Sequence, residues 1–493
     1  MWLKSSHWLR SFLFRSSDEW LDGSCIAALV TICAACLFGG CAAYHPRPLN
    51  PPQLENQYRT RMLADQRLRT FVEANLGEAI PSWPPKKLDL KTLTLVGYYD
   101  SAELEIARAQ IAIAEAGIRA AGARINPSLG LESGYDTNPD SHPIYGSLPA
   151  FTIETAGKRG YRILQAQKQA EAARIGLAEA GWLLRSRIRT AFYDHVFAAR
   201  KRELLQAEES IRSEIVEIFD KRLAVGEAAR PELDVYRVDL ITTQAALQVA
   251  IGEAAKTRSA LANAIGLPLS ALEESTVESA SLESPPSEEI LPILKVQRAG
   301  LLHRADLRRT LADYAATDAA LKLELARQYP DLVLTPGYAF DEGFARYVLS
   351  ASIQSIPLFH RNQGPIAVAE AQRRQASEQF EALQSQAIGQ METALVQYRA
   401  ALNEWREASE RLVSVQRDRE EAARRALAAG EGDRLGLATV RLQTVTAARA
   451  RIDALTRVYE ALGALEDAMQ QPLEIMLEVP DPSLVSPRKG ANN

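Results

Sequence analysis

The chain has 493 residues, of which 47% are hydrophobic, and its 57 Lys and Arg against 62 Asp and Glu leave a formal net charge of -5. It is too apolar for a disordered protein and too nearly neutral for a nucleic-acid binder, and its length would allow several ordinary domains. Aromatic residues make up only 7%, and the rest is dominated by Ala, Leu, Gln, Glu and Arg, the composition of long amphipathic helices.

At the N-terminus, residues 26–38 form an uncharged run long enough for a signal-peptide core and shorter than the roughly 20 residues that cross a bilayer. The stretch that follows, Leu37-Phe38-Gly39-Gly40-Cys41-Ala42-Ala43, resembles the lipobox of bacterial lipoproteins, in which the cysteine is acylated. We expect residues 1–40 to be a signal peptide and Cys41 to carry lipid, with an ordinary signal peptide and an incidental cysteine as the alternative. Cys25, Cys33 and Cys36 all fall in the removed part, so the mature chain holds one cysteine and no disulfide framework. Ala42 in place of an aspartate fits a lipoprotein destined for the outer membrane. Residues 41–92 read as an irregular, lipid-anchored N-terminal segment.

Beyond this point the chain repeats itself. Arg124-Ile125-Asn126-Pro127 matches Arg327-Gln328-Tyr329-Pro330 and Gly134-Tyr135 matches Gly337-Tyr338 at an offset of 203, while 223–227 matches 427–431 and Pro268-Leu269 matches Pro472-Leu473 at 204. One slip over about 145 residues identifies a tandem duplication, with each copy expected to share one structure. The copies are 93–272 and 301–473, joined by a Ser/Glu/Pro-rich equatorial linker at 273–300 and followed by a tail at 474–493.

Within each copy the prolines mark what is helical. None occurs in 158–224 or from 366 to 471, and the long helices expected at 158–224 and 363–428 are each on the order of 100 Å. Each ends at a glycine, Gly226 or Gly430, suited to a left-handed helix cap, and helical pattern resumes near Pro231 or Arg434. Each copy is therefore expected to be an antiparallel hairpin whose returning helix, 231–265 or 435–469, is half as long as its partner. The helices at 95–124 and 305–327 would supply the missing half.

Segments 128–135, 151–155, 332–340 and 346–356 alternate apolar and polar residues between Gly, Pro, Asn and Asp, and read as strands. A membrane strand needs about 9–11 residues, and the smallest barrels use about eight strands. Four per chain cannot close a barrel, whereas three chains would supply twelve. The fold expected is mainly α with a small β part: tandem-duplicated helical hairpins forming a trimeric α-barrel below a 12-stranded β-barrel.

The segments His303-Arg304-Ala305-Asp306-Leu307, Tyr329-Pro330-Asp331-Leu332 and Ser355-Ile356-Pro357-Leu358-Phe359, with the two glycine turns, resemble the TolC-like outer membrane factor family over about 93–473. Glu154 and Gly157-Lys158-Arg159 are similar to the strand-to-helix junction of its metal-efflux branch, so the resemblance points to the OprM/CusC/CzcC-type lipoproteins. Ala305 departs from the proline the family carries there.

The resemblance implies an outer-membrane channel of a tripartite efflux system: a homotrimer that passively conducts substrates handed over by an inner-membrane pump, with the RND type as candidate, and a periplasmic adaptor. The hairpin tips, with Gly226, Glu227, Gly430 and Glu431, would then meet the adaptor. Glu232, Asp234 and Asp433 are the candidate lumen or gate carboxylates, since threefold symmetry turns one inward carboxylate into a ring of three. The bland reading of each is a solvated charge near a helix N-terminus. The stretch 436–439 carries no acid, so a double acidic ring is not expected.

An enzyme is disfavoured. The six histidines contain no i, i+4 pair, and the mature chain lacks a phosphate loop, a nucleophile elbow and a CxxC metal motif, so no cofactor and no metal site are expected. A type I secretion exit duct and a pore-less periplasmic coiled coil are the remaining alternatives.

Overall fold

The structure is a computed structural model that describes residues 44–135, 144–273, 275–286, 301, 303–341 and 344–473. Cys41, the signal segment and the tail at 474–493 lie outside the described residues, as does most of the linker at 273–300. By contacts, residues 1–57 and 58–493 are separate units.

A first correction concerns the N-terminal segment. Helix α1 spans Pro51–Arg59 and α2 spans Gln66–Leu76. Proline at the ends of 41–92 suggested irregular chain, but a proline in a first turn costs a helix nothing, because its missing N–H would have no partner there. Asp65 caps α2 by accepting from the Arg67 N–H, and Leu68 and Val72 bury its inner face.

The helix expected at 95–124 is in fact two, α3 at Leu90–Asp100 and α4 at Ala102–Ala121, each started by its own side-chain cap, Asp89 and Ser101. Nearly all of α3 is buried, whereas α4 buries only Leu104 and Ala107. A two-residue parallel pairing of β1 (Lys87–Leu88) with β4 (Thr276–Val277) ties the segment before α3 to the segment that follows the first copy.

The first copy then runs through strands β2 (Ser128–Gly134) and β3 (Ile144–Ile153), the 67-residue helix α5 (Lys158–Ala224) and the 35-residue α6 (Arg230–Ala264). The second runs through α7 (Ala305–Ala326), β5 (Asp331–Asp341), β6 (Phe344–Gln354), α8 (Gln363–Arg406), α9 (Val413–Ala429) and α10 (Arg434–Met469). Between α8 and α9, residues Glu407–Leu412 form a π-helical segment, so the second long helix is continuous in path but not in hydrogen-bond pattern. No sequence signal announced it: the segment contains neither proline nor glycine.

Two short helices do lie end to end beside α5. Glu103 and Glu115 of α4 pair with Arg187 and Arg174, and toward the turn Asp239 and Arg237 of α6 pair with Arg212 and Asp220. The main core sits at mid-length, where α3, α5, α6, α8 and α10 converge on Leu93, Ile188, Phe192, Leu261, Tyr398 and Tyr459.

The four strands form one antiparallel sheet in the order β2-β3-β5-β6. β3 starts at Ile144, well before the expected 151, because its first half, Ile144-Tyr145-Gly146-Ser147-Leu148, does not alternate apolar with polar residues. Registered pairs between β3 and β5 run through Tyr145–Ser147 and again through Phe151–Ile153. The gap falls at Pro149 and Pro336, neither of which has an N–H to donate.

Candidate functional site

The sheet has two chemically different faces. Registered residues share a face, so Leu129 and Leu131 of β2 stand with Tyr145, Phe151 and Ile153 of β3, Leu332, Leu334, Tyr338 and Phe340 of β5, and Tyr347, Leu349 and Ile353 of β6. The opposite face carries Glu132, Thr152, Thr335, Arg346, Ser350, Ser352 and Gln354 among small residues, with Ile144, Leu148, Val333, Phe344 and Val348 interspersed, and is the more polar of the two. Leu131, Tyr347 and Leu349 are 79%, 82% and 74% exposed. A soluble sheet buries its apolar face against something, whereas a membrane sheet presents it to lipid and keeps the polar face for water. Within the described chain the outer edges of β2 and β6 pair with nothing, leaving two rows of backbone donors and acceptors open.

Motif residues fasten this sheet to the helices. Lys158 Nζ, at the start of α5, donates to Asp331 Oδ1 and to the Tyr329 carbonyl, each at 2.7 Å, and the Thr155 N–H donates to the same carboxylate at 2.9 Å. The Gly-Lys-Arg motif of one copy thus meets the Pro-Asp-Leu motif of the other. Arg162 pairs with Glu154 beside them. Arg304 chelates Asp306 at 3.0 and 2.6 Å and donates to the Ala468 carbonyl, so the His-Arg-Ala-Asp-Leu motif locks α7 to the end of α10 without the proline its resemblance suggested.

At the other end of the molecule the two turns are built alike. Gly226 and Gly430 have φ of +78° and +77°, a backbone region that costs residues with a Cβ on the order of 1 kcal/mol. In the first turn the Gly226 N–H donates to Leu223 O and the Glu227 N–H to Arg222 O; in the second, Gly430 donates to Leu427 O and Glu431 to Ala426 O. Both Glu227 and Glu431 are exposed.

The candidate gate carboxylates separate in character. Glu232 lies in the first turn of α6, and Asp234 stands 3.8 Å from Arg237, both exposed. Asp433 does more. It caps α10 by accepting from the Gly436 N–H at 2.8 Å, and its other oxygen takes a hydrogen bond from Arg222 of the first tip at 3.0 Å. The Gly436 bond first, against an opposing effect of burial, and then the hydrogen bond and charge of Arg222 hold its carboxyl below the usual range. Phe219 stacks on Tyr236 with ring centroids 4.2 Å apart and packs with buried Leu233 and Ala438, so the bridge sits over a small apolar tip core.

This bridge is the last rung of a seam between α5 and α10. Moving from the core to the tip, Arg189 pairs with Glu466 and Asp467, Lys201 with Asp453, Glu208 with Arg449, Glu214 with Arg441 and Arg222 with Asp433. Numbers rise on α5 as they fall on α10, as antiparallel helices require. The innermost rung is almost dry: Arg185, Arg189 and Glu466 are 2%, 1% and 1% exposed. No signal local to either helix marks the seam, because its partners are more than 200 residues apart.

Among the described residues, no three His, Cys, Asp or Glu side chains cluster as metal ligands do, and no helix is long and apolar enough to cross a membrane.

The same architecture occurs in solved outer-membrane proteins. VceC of Vibrio cholerae superposes with a TM-score of 0.60 at 20% identity, over 78% of this chain and 97% of that one, and the transmembrane channel CusC with a TM-score of 0.60 at 16% identity, over 87% and 99%. In sequence, the chain is 24% identical over 266 residues to the cobalt-zinc-cadmium resistance protein CzcC of Cupriavidus metallidurans, spanning 52% of this chain and 60% of that protein. The fold is that of the TolC-like outer-membrane channels, and the chain is similar in sequence to CzcC over part of both proteins. No protein-family model matches it.

Proposed function

We propose that this chain is the outer-membrane channel component of a tripartite efflux system, working as a homotrimer without catalysis. The observation that carries the reading is the four-stranded amphipathic sheet with both edges open: three copies joined edge to edge would satisfy those backbone groups and make a twelve-stranded barrel with its more apolar face outside and its more polar face within. Exposed Val235, Val238, Ile241 and Val249 along α6 give the helices, too, an apolar surface suited to a neighbouring chain.

In this reading Cys41 carries the lipid anchor in the outer membrane and the tips around Gly226, Glu227, Gly430 and Glu431 dock a periplasmic adaptor, which links the duct to an inner-membrane pump. Asp433 is the strongest of the gate carboxylates, because it holds the two tips of one protomer together through Arg222. Glu232 and Asp234, near the start of α6, would line the constriction. Similarity to CzcC and CusC supports export; a cargo of metal ions is the proposal that CzcC's name suggests for this chain.

The deciding experiment is reconstitution. Full-length protein purified from outer membranes should cross-link to a trimer and give stepwise ion conductance in a planar lipid bilayer. A monomer that never conducts would defeat the channel reading and leave the pore-less coiled coil.

A further inference from the structure

The two copies are offset by 203 residues at one end and by 204 at the other, and burial shows how far the first offset holds. Leu184, Ile188 and Phe192 of α5 are buried, and so are Ala387, Met391 and Leu395 of α8, each 203 residues further on. At the turns, Leu223 and Gly226 match Leu427 and Gly430 at 204, with the same hydrogen bond between them. The second copy therefore holds one residue more between Leu395 and Leu427 than the first holds between Phe192 and Leu223.

An extra residue inside an α-helix would turn everything beyond it by about 100°. A π-helical turn, whose hydrogen bonds run to i+5 instead of i+4, takes up one residue and leaves the helix beyond it on its original face. Across the matching stretch α5 is α-helical throughout, whereas the second long helix departs from α geometry at Glu407–Leu412, inside the interval that holds the extra residue. No residue within the segment marks it, but the copies do when they are laid side by side.

Packing changes at the same point. α8 buries Met391, Leu395, Tyr398 and Leu402, whereas neither the π-helical segment nor α9 buries a residue, and the tip core is built from α5, α6 and α10 without α9. Among the described residues no ion pair joins α9 to another helix, and the one hydrogen bond between α9 and α10 that involves a side chain runs from Thr444 Oγ1 to the Gln416 carbonyl at 3.5 Å. α10, by contrast, is tied to α5 through Arg449–Glu208 and Arg441–Glu214. The π-helical segment itself is held: Ser409 Oγ accepts from Arg451 Nε at 3.2 Å, Arg451 Nη2 donates to Glu283 at 2.9 Å, and Glu283 meets Arg200 of α5 at 2.8 Å.

We propose that the extra residue of the second copy is stored in Glu407–Leu412 and makes that segment the hinge of the second long helix, at which α9 and the turn at Gly430 move against a stationary α8. A held point with a packed helix on one side and an unpacked one on the other is what bending there requires, and π-turns are among the few places where a helix bends sharply. The first copy has no counterpart, since α5 runs unbroken to its turn, so the two tips differ in stiffness although their turns are alike. The hinge belongs to a single chain and does not depend on channel formation.

Deletion of Ala408 tests both parts. It removes the extra residue, so α8 and α9 should join as one α-helix with the side chains beyond it still on their faces, and the melting temperature should hold. Amide hydrogen exchange of the purified full-length protein, followed by mass spectrometry, should slow about tenfold or more across 413–429. Deletion of Ala382, within regular α8, instead turns the helix by about 100° and should lower the melting temperature sharply. An equal loss in the two deletions, or failure of the Ala408 deletion to fold, overturns the placement of the extra residue. A deletion that melts as before and leaves exchange across 413–429 unchanged overturns the hinge, and so does exchange in the unaltered protein that is no faster across 413–429 than across the matching 209–224 of α5.

Discussion

The two ends of the α5–α10 seam use the same chemistry in opposite solvents. At the inner end, Arg185 and Arg189 share Glu466 with hardly any water, and Glu466 also accepts from the Leu473 N–H at 2.9 Å. At the tip, Arg222 and Asp433 form one pair whose side chains are 36% and 58% exposed. Charges out of water are costly to separate because each is left unsolvated, whereas an exposed pair exchanges its partner for water at little cost. The inner rung therefore acts as a fixed clamp and the outer one as a contact that can open. That division would suit the proposed channel if its tips open while its middle stays packed.

Neither rung is a product of the duplication. The position equivalent to Arg222 in the second tip is Ala426, and the one equivalent to Asp433 in the first is Ala229. The copies have diverged so that the cation lies on one hairpin and the anion on the other, and the bond runs between copies rather than within each. Ala229 leaves α6 without a side-chain cap, while Asp433 gives α10 one. The first tip instead has Pro231 at the start of α6, which fixes backbone without a hydrogen bond.

The sharpest way to break the comparison is Glu466→Ala, which takes the carboxylate from buried Arg185 and leaves buried Arg189 with Asp467 alone as its acid. A loss of about 3–5 kcal/mol is expected, read as a large drop in melting temperature of the detergent-solubilised protein. If the melting temperature falls no further than in Asp433→Ala, the inner rung is no clamp.

Acid should act on the same rung. Burial alone would raise the Glu466 pKa, but Arg185, Arg189 and the Leu473 N–H outweigh it and leave the folded value lowered. A lowered carboxylate contributes stability that is fully present above its unfolded value, near 4.5, and is lost as pH falls through the folded one. Melting temperature should hold from neutral pH down to that value and fall below it, and the fall should be shallower in Glu466→Gln.

How much of this was legible beforehand depends on whether the signal was local. The bounds of α5 were readable to the residue, since proline and glycine punctuate a helix through their own backbone geometry. The turns at Gly226 and Gly430 were readable for the same reason. The strand β3 was half missed because Gly146 and Ser147 carry no alternation, and the break at Ser101 was missed because a serine inside an alanine-rich helix is unremarkable until it is seen to cap one. The π-helical segment at Glu407–Leu412 has no local residue that demands it, and the seam and the clamp both depend on pairing between distant segments. Asp433 was a candidate for its charge at a turn, yet its value lies in Arg222, which nothing near either residue advertises.

A smaller effect is expected from Gly430→Ala. A Cβ there meets nothing within 4 Å, so the cost is conformational, about 1 kcal/mol, and arises from the positive φ alone. Gly226→Ala should cost the same, because the two caps share one hydrogen-bond pattern. A marked difference in melting temperature between the two variants would mean that the tips are not equivalent in backbone, and the contrast drawn above between clamp and contact would have to be extended to the turns.

The smallest effect on stability and the most telling on function belongs to Arg222→Gln. As an exposed pair the bridge is worth about 0.2–1 kcal/mol, and the substitution leaves the Asp433 cap on Gly436 intact, so melting should barely move. Asp433→Asn should do the same while keeping an oxygen for the cap. Single-channel conductance separates stability from gating here: if the bridge holds the tips of each protomer together, both variants should raise the open fraction without changing the fold, and the double variant should raise it no further than either single one. Additive increases would mean that Arg222 and Asp433 act on the opening through different partners, and the tip rung would then be a packing detail rather than the contact that yields.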